Sequence, residues 1–148
     1  MIFTRTMSQM KTVPDSTSKG ALTEKALIEA FILPQRRARY VELLTTARGR
    51  KTLRGRLAHI SDLDPRFARR LAADSVAEIV TILRMENAPQ MCQVISESDG
   101  IDGREMGLTE ALDQIVGHGL GTLISCIPGK LGYYESEEPG ERYLLKRA

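Results

Sequence analysis

Cysteine is scarce in this chain. The two present, Cys92 and Cys126, stand in no CxxC pair and beside no histidine cluster. Such spacing excludes the usual structural zinc sites and supplies no disulfide framework. Both thiols fall inside short apolar stretches, where small buried thiols in a reducing, cytoplasmic compartment are expected. Long apolar runs are also lacking. No stretch approaches the ~20 residues that a bilayer-spanning helix needs, so no membrane partner is expected, and none reads as a signal-peptide core. Neither a metal nor a cofactor is called for by any motif.

What is there suits one domain. A chain of 148 residues buries roughly 68–70% of its unfolded surface, enough for a real core. Residues 1–20 have no usable periodicity and are expected to be a disordered tail, in which Met7 and Met10 offer alternative starts. A single α+β domain is expected over 21–148, with a helical part (21–88) and a βαβββ part (89–148).

Helical periodicity begins at Thr23, an N-cap for a helix to Leu33 that turns Leu27, Ala30 and Phe31 inward and Glu24 and Lys25 outward. Pro34 opens a second helix to about Arg48, with Ala38, Val41, Leu44 and Tyr40 as core candidates and Gly49 as its stop. A third, Arg50 to Ile60, is held by Leu53, Leu57 and Ile60. Asp64-Pro65 predicts a short helix with Phe67, Ala68 and Leu71 inward. Ser75 and Glu78 form a capping box ahead of Val76, Ile79, Val80 and Leu83, which share one face.

The character changes at Met91. Met91–Ile95 reads as a largely buried strand, Ser96–Gly107 as a polar loop, Thr109–Val116 as a helix and Thr122–Ile127 as a second buried strand. That order predicts a parallel βαβ unit. Pro128-Gly129 predicts a type II turn into an antiparallel strand to Glu135, and Arg142–Lys146 a final strand. The expected fold is therefore about four N-terminal helices packed with a small mixed sheet. That sheet is built on a βαβ unit followed by an antiparallel hairpin and a final strand.

Charge is split along the chain. Between Gln35 and Arg70 lie eleven Lys or Arg and three Asp or Glu, whereas Leu71–Ala148 holds six and thirteen. Either one face meets an anion, or the two halves attract each other. The first reading makes Arg36, Arg37, Arg39, Arg48, Arg50, Lys51, Arg54 and Arg56 a surface for nucleic acid or an acidic protein. The block contains one aromatic residue, Tyr40, and no known recognition-helix or RNA-binding motif. On this reading the protein is a small intracellular binding or regulatory protein, and a homo-oligomer is compatible with it.

A competing reading is catalytic. In parallel strands, the loop carrying Glu97, Asp99, Asp102 and Glu105 would share an edge with Ser125 and Cys126. Clustered carboxylates there could act as acid and base or hold a cation, as in a hydrolase, with Arg104 on an anionic substrate. Cys126 with His118 suggests a thiol nucleophile, set against its place among buried apolar residues. Gly117–Gly121 resembles a phosphate loop in composition only, because it follows a helix and opens a strand. Whether the chain is an enzyme stays open at this stage.

Overall fold

The structure, a computed structural model, describes residues 18–147. Five α-helices and one six-stranded antiparallel sheet are present there. Helix α1 spans Lys19–Phe31 and begins earlier than Thr23, because the Ser18 hydroxyl accepts the Ala21 N–H at 3.1 Å. Most of the expected disordered tail (1–17) lies outside the described residues, and its last three residues belong to this helix start.

Pro34 opens α2 (Pro34–Leu44). The expected continuation to Arg48 breaks at Thr45. Thr46 there caps a new helix, α3 (Ala47–Arg56), by accepting the Gly49 N–H at 2.9 Å. Gly49 therefore serves the kink rather than a helix end: a Cβ on it would sit 2.5 Å from the Leu43 carbonyl oxygen. Tyr40 and Leu43 point into the core, while Ala38 is exposed.

Asp64-Pro65 starts no helix. Asp64 is buried and accepts from the backbone and guanidinium of Arg66, and its carbonyl closes a turn by accepting the Phe67 N–H. The chain then pairs antiparallel with the last strand as β1 (Ala68–Arg70). Leu71 is buried and Arg69 and Arg70 exposed, as helical spacing also predicted. Only the partner strand separates the two conformations.

Half of the expected capping box forms: the Ser75 hydroxyl accepts the Glu78 N–H at the start of α4 (Val76–Met85), while the Glu78 carboxylate accepts from the Ser75 hydroxyl instead of the Ser75 N–H. Next come β2 (Met91–Ser96), β3 (Glu105–Gly107), α5 (Leu108–Ile115), β4 (Thr122–Ile127), β5 (Leu131–Glu135) and β6 (Arg142–Lys146). Helix α5 follows directly on β3, with Gly107 rather than Thr109 at its N-cap. The Pro128-Gly129 turn has Gly129 at φ 71°, and Gly117 ends α5 at φ 76°.

The parallel βαβ unit is corrected. β2 and β4 are neighbours but antiparallel, pairing Gln93 with Ser125 and Ser96 with Thr122. The cause is β3, a strand hidden in the polar loop. It folds back on β2, with Cys92 opposite Met106, and returns the chain to the start of β2 before α5 begins. The helix then carries the chain up, and β4 comes down. The sheet order is β1-β6-β5-β4-β2-β3.

Helices cover both faces of this sheet. Leu27, Phe31, Leu53 and Leu57 pack on Ile95, Leu123, Tyr134 and Leu145. On the other face Ile79, Leu83, Leu112 and Ile115 pack on Val94, Ile124, Tyr133 and Leu144. The central strands are accordingly buried along nearly their whole length, a pattern common in parallel sheets because both faces are covered there.

One ion pair is fully enclosed. Arg142 on β6 donates to both carboxylate oxygens of Glu135 on β5, at 2.9 and 3.0 Å, and to the Ala73 carbonyl at 2.7 Å. Glu135 also accepts from the Tyr133 hydroxyl and from the Gly117 N–H at the end of α5. With the side chains only 4% and 2% exposed, neither charge can fall back on water. Glu135→Ala should cost about 3–5 kcal/mol in urea unfolding by stranding the Arg142 charge, and Glu135→Leu with Arg142→Met should cost clearly less.

Candidate functional site

The basic and acidic segments meet where α3 lies against the β2–β3 loop. Arg50, on α3, forms two bidentate pairs. It donates to Glu24 of α1 at 2.7 and 3.0 Å and to Asp102 of the loop at 2.8 and 3.0 Å. Burial opposes its charge, and the hydrogen bonds to Glu24 and Asp102 more than offset that, so its pKa moves up. Arg54, one turn on, donates to the carbonyls of Ser96 and Glu97 at 2.7 and 2.9 Å and to Asp99 at 2.5 Å. Two residues of the expected anion surface thus hold the loop to the helix.

The rest of the block divides further. Arg36 faces Asp62 at 3.6 Å, and Arg39 pairs with Glu42. Arg37 donates to the Ile32 carbonyl and approaches Asp64. Arg56 lies over the Tyr40 ring, 6.0 Å from its centre. Arg48 and Lys51 are exposed and make no ion pair among the described residues. They lie three apart on α3 and so share a face. Attraction between the two halves therefore accounts for Arg50 and Arg54, and it leaves Arg48 and Lys51 unpaired among the described residues.

The four candidate catalytic carboxylates do not converge on a cavity. Glu97 accepts the Gly121 N–H at 2.6 Å, and Asp102 is held by Arg50 and by the Ser96 N–H at 2.9 Å. Asp99 is 93% exposed, and Glu105, half exposed, pairs with Lys19. Among the described residues no group of three or more His, Cys, Asp or Glu is placed to hold a metal ion. Arg104 donates to the Gly100 carbonyl within its own loop.

Ser125 and Cys126 lie toward the opposite end of the sheet, because β4 runs antiparallel to β2. Instead the glycine run meets the loop, as Glu97 and Gly121 exchange backbone and side-chain hydrogen bonds. Gly121 must be glycine there, since a Cβ would fall 2.3 Å from the Leu57 carbonyl. His118 precedes β4 and Cys126 stands near its far end, so most of the strand lies between them. Burial, with help from Glu105 and Glu110, pushes the Cys92 thiol up to about 12, and burial pushes Cys126 up as well. Both stay protonated at neutral pH, the unreactive form.

Sequence reasoning missed a groove of ≈ 800 Å³ between α1, the α2–α3 kink and the β2–β3 hairpin. Glu24, expected to face outward, is 4% exposed at its floor, beside Gln93 at 7%. Gln93 donates through Nε2 to Glu24 at 3.0 Å and to the Gly103 carbonyl at 3.1 Å. The available signal was a lone glutamine in the otherwise apolar run Met91–Ile95. A smaller cleft of ≈ 640 Å³ lies beside β1, lined by Arg66, Arg69, Arg70 and Lys146. None of Glu97, Asp99, Asp102 and Glu105 lines either space. No helix among the described residues is long and apolar enough to cross a membrane.

Arg50→Ala strands two carboxylates that are 5% and 10% exposed, and should cost about 3 kcal/mol in urea unfolding. Asp64 supplies a pH test. The Arg66 hydrogen bond, with Arg37 nearby, holds its carboxyl below the usual carboxylate range. A lowered folded-state pKa gives stability that is complete above the unfolded value of about 3.9 and is lost as pH falls through the folded one. Asp64→Asn should therefore be less stable than the parent at pH 7, with the gap closing progressively below about pH 4.

Comparison of the chain with protein-family models, with curated proteins and with solved structures finds no match, so a function has to be argued from this geometry.

Proposed function

We propose that the protein is a binding module for an anionic partner, nucleic acid or an acidic protein, which it meets through the outer face of α3. The observation behind this reading is the sorting of the basic block. Arg50 and Arg54 are turned inward onto carboxylates and carbonyls. Arg48 and Lys51 remain outward and without counter-charge among the described residues. Gly55 lies on the same outer side, and a Cβ there would meet nothing within 4 Å. A partner's backbone can therefore approach this face closely, with Arg56 at its margin.

Such a surface binds by charge, so its affinity must fall as salt rises. Fluorescence anisotropy with a labelled DNA duplex, and separately with polyglutamate, tests it. Arg48→Ala with Lys51→Ala should weaken binding and lower the salt slope by about 2, roughly one for each lost contact. The melting temperature should stay unchanged. Binding of neither probe, salt-independent binding, or full affinity in the double variant would each overturn the proposal.

A further inference from the structure

The sheet ends on two edge strands, β3 and β1. β3 passes directly into α5, and its Glu105 is already paired with Lys19. The β1 edge is open. Phe67 accepts the Lys146 N–H through its carbonyl, and the Leu71 N–H donates to the Arg142 carbonyl. These residues flank β1, and both turn their main chain toward β6. Along an antiparallel pair, successive residues alternate between facing the partner and facing away. Arg69, two residues from each, therefore faces β6, and Ala68 and Arg70 direct their N–H and C=O groups outward. No hydrogen bond among the described residues reaches those groups from the outer side. A row of unpaired edge groups is a template for another strand.

The side chains around this edge select by charge. The cleft of ≈ 640 Å³ alongside reaches Leu144 on β6 and is ringed by Arg66, Arg69, Arg70 and Lys146, against one carboxylate, Glu86. Lys146 is held by Glu86 at 2.7 Å, and Arg66 by Asp64 at 2.7 Å. Arg69 and Arg70 are exposed and make no ion pair among the described residues. Adjacent in a strand, they point to opposite faces, so each face of the edge carries one free cation. Antiparallel pairing with β1 of a second copy, centred on Arg69, would set arginine directly opposite arginine. Like charges so placed are destabilising, whereas opposite charges are favourable.

We propose that the β1 edge takes up an acidic peptide segment in extended conformation, which lengthens the six-stranded sheet by one strand. The segment's main chain pairs with the outward groups of Ala68 and Arg70. A carboxylate side chain opposite Arg69 occupies a non-hydrogen-bonded position, where cross-strand side chains come closest, about 4.5–5.5 Å between Cβ atoms. Its neighbour in the segment meets Arg70 on the other face. Two successive acidic residues therefore match this edge. In strand addition the main-chain bonds supply affinity and the side-chain positions supply selectivity. This surface is separate from the outer face of α3, no residue of which lines the cleft.

Amide exchange followed by NMR on the full chain tests the proposal, with a capped hexapeptide of two central glutamates flanked by valine and threonine. One control peptide is N-methylated at both glutamates, which removes a ladder donor from each of its edges. Another carries lysines in their place. The expected result is a saturable slowing of exchange at the Ala68 and Arg70 amides, with both controls binding at least about tenfold more weakly. Arg69→Glu with Arg70→Glu should weaken the acidic peptide at least about tenfold and admit the lysine peptide, while the chain still melts cooperatively. Unchanged exchange at both amides, equal binding of the methylated peptide, or full affinity in the charge-reversed variant would overturn the proposal. Protection that is present without peptide and grows with protein concentration would overturn it too, by placing a second copy on the edge. So would loss of the peptide in Arg48→Ala with Lys51→Ala, which would assign it to α3. If the charge-reversed variant fails to fold, the control peptides decide alone. Failure at the β1 edge leaves the α3 reading standing, because Arg48 and Lys51 lie outside the cleft.

Discussion

Arg50 joins three segments that are far apart in sequence: α1 through Glu24, its own helix α3, and the β2–β3 loop through Asp102. All these groups are largely removed from water, so the arrangement is all-or-nothing. With the guanidinium in place, both carboxylates are satisfied, and Asp102 can also receive the Ser96 N–H that shapes the loop. Without it, Glu24 would keep only the Gln93 amide, and Asp102 only the Ser96 N–H and Arg54 at 3.5 Å. The helical layer and the sheet edge are thereby fixed relative to one another, and the groove lies between them.

This pairing also divides the charges of the chain into two kinds. Opposite charge along a sequence can be paired internally or left facing solvent, and here position on the helix separates the two. On α3, Arg50 and Arg54 turn toward the sheet and meet carbonyls and carboxylates within hydrogen-bond reach, whereas Arg48 and Lys51 on the outer side make no ion pair among the described residues. Eleven basic residues between Gln35 and Arg70 are thus a poor measure of the surface that stays free of internal partners. The enclosed Glu135–Arg142 pair lies on the other face, where each carboxylate oxygen of Glu135 accepts two hydrogen bonds and Arg142 donates three.

The candidate catalytic site was legible only as a composition. Carboxylates and glycines fill the Ser96–Gly107 stretch, but turn chemistry draws on the same residues. Their geometry rests on β3, whose three residues Glu105-Met106-Gly107 carry no strand signal. A segment that short becomes a strand only through the neighbour it pairs with. Once β3 forms, β4 reverses, and Ser125 and Cys126 move to the far end from Glu97. Glu24 was misplaced for a related reason. A polar residue on an apolar element reads as exposed unless its buried partner, here Arg50, is known.

The features settled by sequence alone are those whose causes lie within a few residues. The Ser75 cap of α4, the proline start of α2, the Gly117 helix end, the Pro128-Gly129 turn and the apolar faces of Leu27–Phe31 and Ile79–Leu83 are of this kind. Each follows from one hydrogen bond, one fixed dihedral or one helical period. The largely buried strands Met91–Ile95 and Thr122–Ile127 were likewise legible. Strand direction, the strand fate of Ala68–Arg70 and the inward turn of Arg50 and Arg54 depend on partners tens of residues away. Backbone hydrogen bonding satisfies parallel and antiparallel neighbours almost equally well. Only the assembled chain, by placing β3 in the return path, selected one.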